Sequence, residues 1–254
     1  MEIDLGSMSK QWDIVSQVYR FPKTLQRGTI VARPNRFIML VKARGKTLRC
    51  HCPTTGRLGD FDLVGMHCLY SEAPGANRKT AHTVEAISTS SSSDSWVGIN
   101  QNAANRYVEF FLTNGSLSRM ATGPLRREVA LGNSRIDFAV GNAYVEVKTP
   151  LITLPASKEI KRVRRGRFDS FDRLIRHMGD LRRSLAAGKR GVIVLCYLYD
   201  AMPFRPPTRN GSNSRILAAA RAAQRAGVER WQVNLRLDRE GVSLIRYFRS
   251  NPYS

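Results

Sequence analysis

Asp137, Glu146 and Lys148 are the residues whose types and spacing best suit chemistry. They lie in Ser134-Arg135-Ile136-Asp137-Phe138-Ala139-Val140-Gly141-Asn142-Ala143-Tyr144-Val145-Glu146-Val147-Lys148, two alternating runs separated by the turn pair Gly141-Asn142. Counting back from that turn sets Val140 opposite Ala143, Phe138 opposite Val145, Asp137 opposite Glu146 and Ile136 opposite Val147. Alternation then predicts Ile136, Phe138, Val145 and Val147 on one face, with Arg135, Asp137, Glu146 and Lys148 on the other. Directly opposed residues hold their Cβ atoms about 5 Å apart, so two carboxylates there repel unless a cation lies between them. Oxygen-rich pairs of this kind suit Mg²⁺ or Mn²⁺. Such an ion polarises a phosphoryl oxygen and makes water easier to ionise. Lys148, on the same face as Glu146, can steady charge building on a phosphate. The chemistry predicted is metal-dependent hydrolysis of a phosphodiester. The alternative without chemistry is an exposed hairpin face on which Arg135 and Lys148 offset Asp137 and Glu146.

These residues need a scaffold, and the flanking pattern supplies one. A helix is predicted over Asn102 to Thr113, ended by Asn114-Gly115, then strands at about 125–131, 134–140 and 143–149. A second helix over roughly 168–187 has Phe168, Phe171, Leu174, Met178, Leu181 and Leu185 on one face and Gly188 as its stop. Gly191 to Tyr199 reads as a buried strand, 212–226 as an Ala/Arg-rich helix ended by Gly227, and 229–237 and 242–248 as strands. Helix, three strands, helix and strand make an α/β core. Upstream, Thr29 to Ala32, Phe37 to Lys42 and Thr47 to Cys52 are β-rich, with a turn at Arg44-Gly45-Lys46, and no helical period intervenes before residue 88. That stretch predicts a small all-β barrel of OB-like kind. The Ser-rich run Ser88 to Ser95 reads as a linker or loop. The organisation expected is a tail over 1–23, in which Gly6-Ser7-Met8 reads as an expression scar, a barrel over 24–88 and an α/β domain over 89–254.

Charge points to the partner. Against 20 Asp+Glu stand 41 Lys+Arg, a formal net charge of +21, and such an excess is best matched by an anionic polymer. DNA, with RNA as the related possibility, is the partner expected, held mainly through its phosphates. On the barrel, Arg36, Phe37, Arg49, Arg57, Arg78 and Lys79 offer charge and one stacking ring. In the second half, Arg106, Arg135, Arg173, Arg176 and Arg205 are further phosphate contacts. Lys158 to Arg167 has six basic residues in ten; its Lys161, Arg162, Arg164 and Arg165 read as a clamp before the second helix. Asn105 and Glu109 share a helix face and can reach the acidic pair. The four cysteines, Cys50, Cys52, Cys68 and Cys196, lack zinc-finger spacing and read as small core residues. No signal peptide or apolar span is visible, so a cytoplasmic protein away from membranes is expected.

The order Asp, eight residues, Glu-x-Lys is similar to the PD-(D/E)xK nucleases. More specifically, the chain resembles the sugar fermentation stimulation protein A (SfsA) family over most of residues 24–248. The resemblance rests on Leu25-Gln26-Arg27-Gly28 with Arg36-Phe37, on His51-Cys52-Pro53-Thr54-Thr55-Gly56, and on Asn77-Arg78-Lys79-Thr80-Ala81-His82-Thr83. It continues through Ile99-Asn100, Ala104-Asn105-Arg106 and Glu128-Val129 to Ser134-Arg135-Ile136-Asp137-Phe138 and Val145-Glu146-Val147-Lys148-Thr149. The family's segment Glu-Arg-Gly-x-Lys-His-Leu is here Asp172-Arg173-Leu174-Ile175-Arg176-His177-Met178, which keeps the histidine and loses the glycine. The resemblance implies an OB-like barrel followed by a PD-(D/E)xK domain, DNA binding with little sequence preference, and nuclease activity. By the same match Glu128 is a further ligand or acceptor beside the metal, and His177 a contact to phosphate or attacking water. A non-catalytic DNA-binding or regulatory protein that keeps a nuclease fold is the second expectation. A binder that uses mainly the barrel is the third.

Overall fold

The computed structural model describes residues 17–54, 58, 62–72, 79–89, 95–151, 172–206 and 214–251. Arg57, Arg78, Lys161, Arg162, Arg164 and Arg165, the basic run 158–167 and most of the Ser-rich run lie outside the described residues.

Five strands close the N-terminal barrel: β2 (Gln26–Asn35), β3 (Ile38–Ala43), β4 (Lys46–His51), β5 (His67–Glu72) and β6 (His82–Ser88). Antiparallel neighbours run β4-β3-β2-β5-β6, and a parallel β4–β6 pairing seals the ring at Cys50↔His82 and His51↔Thr83. Closure pairs the first part of β6 with β4, which leaves little open edge in so short a β-domain. The β3–β4 turn is where sequence placed it; Arg44 (φ 49°) and Gly45 (φ 74°) supply the two left-handed residues that a tight hairpin needs. Inside, Cys50, Cys52 and Cys68 are fully buried and unbonded to one another. Burial pushes the Cys50 and Cys68 thiols up to about 12, so they are inert packing groups. Strand β7 (Trp96–Gly98), beyond residue 88, adds to the β6 edge.

The second sheet has seven strands in the order β1-β13-β12-β11-β10-β9-β8. Its members are β1 (Val18–Arg20), β8 (Leu125–Leu131), β9 (Ser134–Val140), β10 (Ala143–Lys148), β11 (Arg190–Tyr197), β12 (Glu229–Leu237) and β13 (Gly241–Arg249). Pairings β10–β11 and β11–β12 are parallel and the others antiparallel. Strand β11 (RGVIVLCY) is buried along nearly its whole length because helices cover both faces. Helix α1 (Gln101–Thr113) packs Tyr107, Val108 and Phe111 into one core with Val192, Val194 and Cys196. Helices α2 (Asp172–Ser184) and α3 (Ser214–Arg225) contribute Met178, Leu181, Ala220 and Ala223 to the other, with Ile193 and Leu195. After α2 a short 3₁₀ turn, Leu185–Ala187, ends at Gly188 (φ 68°), the stop read from sequence.

Neither sheet stands apart. Gly98 N–H donates to the Leu198 carbonyl (2.9 Å) and Leu25 N–H to that of Arg239 (2.7 Å). Leu69 and Ala86, turned outward from the barrel, belong to the same core as the α1 side chains. Strand β1, inside the expected tail, exists by pairing with β13 (Tyr19↔Val242). No helix among the described residues is long and apolar enough to cross a membrane.

Candidate active site

The Gly141-Asn142 turn fixes the hairpin register as counted: Val140 faces Ala143, Ala139 faces Tyr144 and Phe138 faces Val145. There the β9–β10 ladder stops. The expected pairs Asp137 with Glu146 and Ile136 with Val147 do not form, because Asp137 Oδ2 accepts the Val147 N–H (2.7 Å). A side-chain carboxylate takes the place of a strand carbonyl, and the strands part at the site. On the other side, Glu128 opposes the same residue with φ 51°, and no Glu128–Asp137 pair appears between Arg127↔Phe138 and Val129↔Ile136. Ile136 accordingly falls in the core with Met178 and Leu181, whereas Phe138, Val145 and Val147 fall in the core with α1. The single apolar face expected for all four residues is corrected in this respect. Strand β9 changes faces at Asp137.

Glu146 is buried at 1% exposure on the α2 side of β10. Its Oε1 accepts from Lys148 Nζ and meets His177 Nδ1. Its Oε2 is buried and has no hydrogen-bond partner among the described residues. His177, 2% exposed, receives Arg173 Nε at Nε2 (3.5 Å). A ring that accepts at Nε2 carries its proton on Nδ1 and donates it to Glu146. Burial pushes the Glu146 carboxyl up, but the His177 bond and the Lys148 charge outweigh it and hold the group below the usual glutamate range. Asp137 goes the other way. Burial first and the Glu146 charge second raise it, against the Val147 N–H and the Asn105 amide, whose Nδ2 donates to Oδ1 (2.8 Å).

Family models match both halves of the chain: an SfsA N-terminal OB domain over residues 31–99 and a sugar fermentation stimulation protein RE domain over residues 102–241. The chain belongs to the SfsA family. A curated relative, the sugar fermentation stimulation protein homolog of a Synechococcus species, is 38% identical over 136 residues. That match spans 51% of this chain and 56% of the relative, little more than half the length of either. Among solved structures, Pyrococcus furiosus SfsA in complex with Ca²⁺ superposes with a TM-score of 0.71 over 91% of this chain and 97% of that one, at 20% identity. The SfsA architecture of closed barrel followed by restriction-endonuclease-like sheet is thus shared.

Within this SfsA fold, the residues singled out from sequence separate into groups. Asp137, Glu146, Lys148 and His177 converge, joined by Asn105 from α1. His177 is a buried brace on Glu146 rather than an open contact to substrate. Glu128 is exposed, its carboxylate 3.2 Å from Arg135, and no contact to the acidic pair is seen among the described residues. Glu109 pairs with Arg127 (3.4 Å) instead of reaching Asp137. Arg36, Phe37, Arg49, Lys79, Arg106, Arg173, Arg176 and Arg205 are all exposed. Arg36 stacks over the Phe37 ring at 4.7 Å. Among the described residues, no three acidic, imidazole or thiol groups gather as a ready-made ion cage. Sequence reasoning passed over Gln101, which donates to the Thr149 carbonyl beside Lys148 (2.6 Å); its place one turn before Asn105 on the same helix face was the available signal.

Proposed function

We propose that this protein is a divalent-cation-dependent nuclease acting on DNA with little sequence preference, with Asp137 and Glu146 as cation ligands. The observation that carries this reading is Glu146 Oε2, a buried carboxylate oxygen without a partner among the described residues, beside a second carboxylate that its charge perturbs. Native proteins rarely leave such an oxygen unpaired, and a cation is the partner that would also relieve the repulsion from Asp137. The donor set is all oxygen, which suits Mg²⁺ or Mn²⁺. The related SfsA was solved with Ca²⁺, a cation of the same preference.

When bound, such an ion offsets charge on the scissile phosphate and eases ionisation of the attacking water. The chain's own groups do the rest. His177 and Lys148 hold Oε1, which fixes the carboxylate plane and leaves Oε2 unpaired among the described residues. Asn105 and the Val147 N–H each hold one oxygen of Asp137. The Lys148 ammonium has three donors and gives one to Glu146. The others can hydrogen-bond a phosphate oxygen as negative charge grows on it. The exposed arginines would position the polymer through its phosphates.

The test is a panel of labelled single- and double-stranded DNA and RNA incubated with Mg²⁺, Mn²⁺ or chelator. Cleavage that needs the ion, and that Asp137→Asn and Lys148→Ala lose by at least about a hundredfold, is the expected result. Equal cleavage by wild type and both variants assigns the activity to a contaminant. The want of a third acidic or imidazole ligand among the described residues favours a second reading, a nucleic-acid binder that keeps a nuclease fold. Tight binding with no cleavage under any ion would select it.

A further inference from the structure

A hydrogen-bonded connection runs from the barrel to the acidic pair. At the end of β4 the chain continues to Thr54, which is fully buried; its Oγ1 donates to Gln101 Oε1 (2.8 Å). Gln101, the first residue of α1, donates through Nε2 to the Thr149 carbonyl (2.6 Å). That carbonyl cannot donate, so it must face the amide nitrogen, and the oxygen is then left for the threonine hydroxyl. The side chain is therefore locked in one orientation, with a barrel residue at one end and the backbone next to Lys148 at the other. Four residues on, along the same face of α1, Asn105 donates to Asp137. One helix face thus holds both parted strands, β10 just past Lys148 and β9 at Asp137. The barrel side is tied in turn, because Arg33 Nη2 donates to the carbonyls of Thr54 (3.4 Å) and Arg36 (3.1 Å).

This placement matters because the β9–β10 ladder is broken there. Below Phe138↔Val145 no backbone pair joins the strands and a single side-chain bond, Val147 N–H to Asp137 Oδ2, spans them, so contacts from α1 help to set their separation. We propose that Gln101, locked by Thr54, is a positioning residue that sets the spacing of the Asp137 and Glu146-x-Lys148 strands, which makes the barrel part of the catalytic apparatus as well as a binding surface. The inference rests on the nuclease reading above. Thr54 is buried and both ends of the Gln101 amide are engaged inside the protein, so loss of the clamp should act on the chemical step, where small misplacements cost most.

The experiment uses the full chain and the strand type that wild type cleaves. Gln101→Met keeps length and helix propensity without the amide; Thr54→Val keeps shape without the hydroxyl; Thr54→Ser restores the hydroxyl. Single-turnover cleavage, Mn²⁺ affinity by calorimetry, oligonucleotide Kd by anisotropy in chelator and the unfolding midpoint are read for each. We expect Gln101→Met and Thr54→Val to slow single-turnover cleavage about tenfold or more and to weaken Mn²⁺ binding, with oligonucleotide Kd within about twofold. Thr54→Ser should recover the rate to within about threefold. Wild-type rates and Mn²⁺ affinity in both variants would overturn the proposal. So would losses that track the unfolding midpoint and that Thr54→Ser does not rescue. If wild type itself neither cleaves nor binds Mn²⁺, the nuclease reading falls and this inference falls with it. A cleaving wild type with indifferent variants removes only the inference.

Discussion

Two carboxylates that share a site respond to burial in opposite ways here, and the difference lies in their partners. Glu146 has an imidazole and an ammonium on one oxygen and is held below its ordinary range despite burial. Asp137 has only neutral donors, so burial and its neighbour's charge raise it above 3.8. A carboxyl raised on folding adds stability that is present below its unfolded pKa and is lost as pH climbs through its folded one. Without metal, then, ionised Asp137 is a net burden at neutral pH. Asp137→Asn should be neutral or raise stability by about 1 kcal/mol at pH 7 in chelator, roughly 2–4 °C in midpoint, while it abolishes stabilisation by Mn²⁺. Thermal unfolding with and without the ion checks both halves, and a clear fall in the chelated midpoint would sink the claim. Glu146 behaves conversely, its contribution present above 4.5 and lost as pH falls through the depressed folded value. His177→Ala removes its main support, so acid unfolding should begin at higher pH, with a loss of about 2–4 kcal/mol near neutrality. Acid titrations followed by circular dichroism measure that. The acidic pair and its lysine were legible as a pattern of residue types. The unequal environments were not, because Asn105 and His177 arrive from helices that spacing alone does not dock.

At the scale of elements, what carries His177 must itself be held. Helix α2 is pinned by Asp180, buried at 1% exposure, which accepts from Ser134 at the start of β9 and from Arg183 on its own helix. Gly132, in the β8–β9 turn, sits under that carboxylate with φ 56°; a Cβ there would stand 2.7 Å from Asp180 Oδ1. Gly132→Ala and Asp180→Ala should each destabilise by about 1–3 kcal/mol. They should also couple, since the alanine at 132 meets no carboxylate once Asp180 is gone. A double-mutant cycle in denaturant reads this, and full additivity would show that the steric contact is not felt. The long periodic elements were readable for a physical reason. Helices α1 and α3 bury a regular face, strands β11 and β12 are buried almost throughout, and Gly188 after α2 and Gly227 after α3 have the positive φ that favours glycine. Strand β1 carries three residues and owes its existence to Val242 and its neighbours, more than two hundred positions away, so no local pattern announces it. The break at Asp137 escaped for a different reason. Counting from a turn assumes an unbroken ladder, and a side chain that substitutes for a carbonyl leaves no mark on the alternation.

For the molecule as a whole, the question is whether a polynucleotide would engage one domain or both. The barrel and the nuclease-like sheet share cores and backbone hydrogen bonds, so they present their charges on one connected body. With a net charge of +21, release of counterions is the main driving force for binding any such polymer. For duplex DNA, each phosphate neutralised steepens the fall of log K with log salt by about 0.9. Exposed Arg49 lies on β4 of the barrel, and exposed Arg176 lies on α2, beside the brace on Glu146. Neither has a salt bridge among the described residues, so replacing either by glutamine strands no described partner. If one polymer spans both domains, each substitution should reduce the slope by about 0.9 and the double variant by about twice that, because well-separated sites add. A barrel-only binder predicts that Arg176→Gln leaves the slope unchanged, and a site-only binder predicts the same of Arg49→Gln. Anisotropy titrations at four or more salt concentrations, in chelator to prevent cleavage, separate the three. An additive loss would also explain why a barrel that closes on itself is nonetheless bolted to the acidic pair: the phosphates it holds would fix where the scissile one must lie.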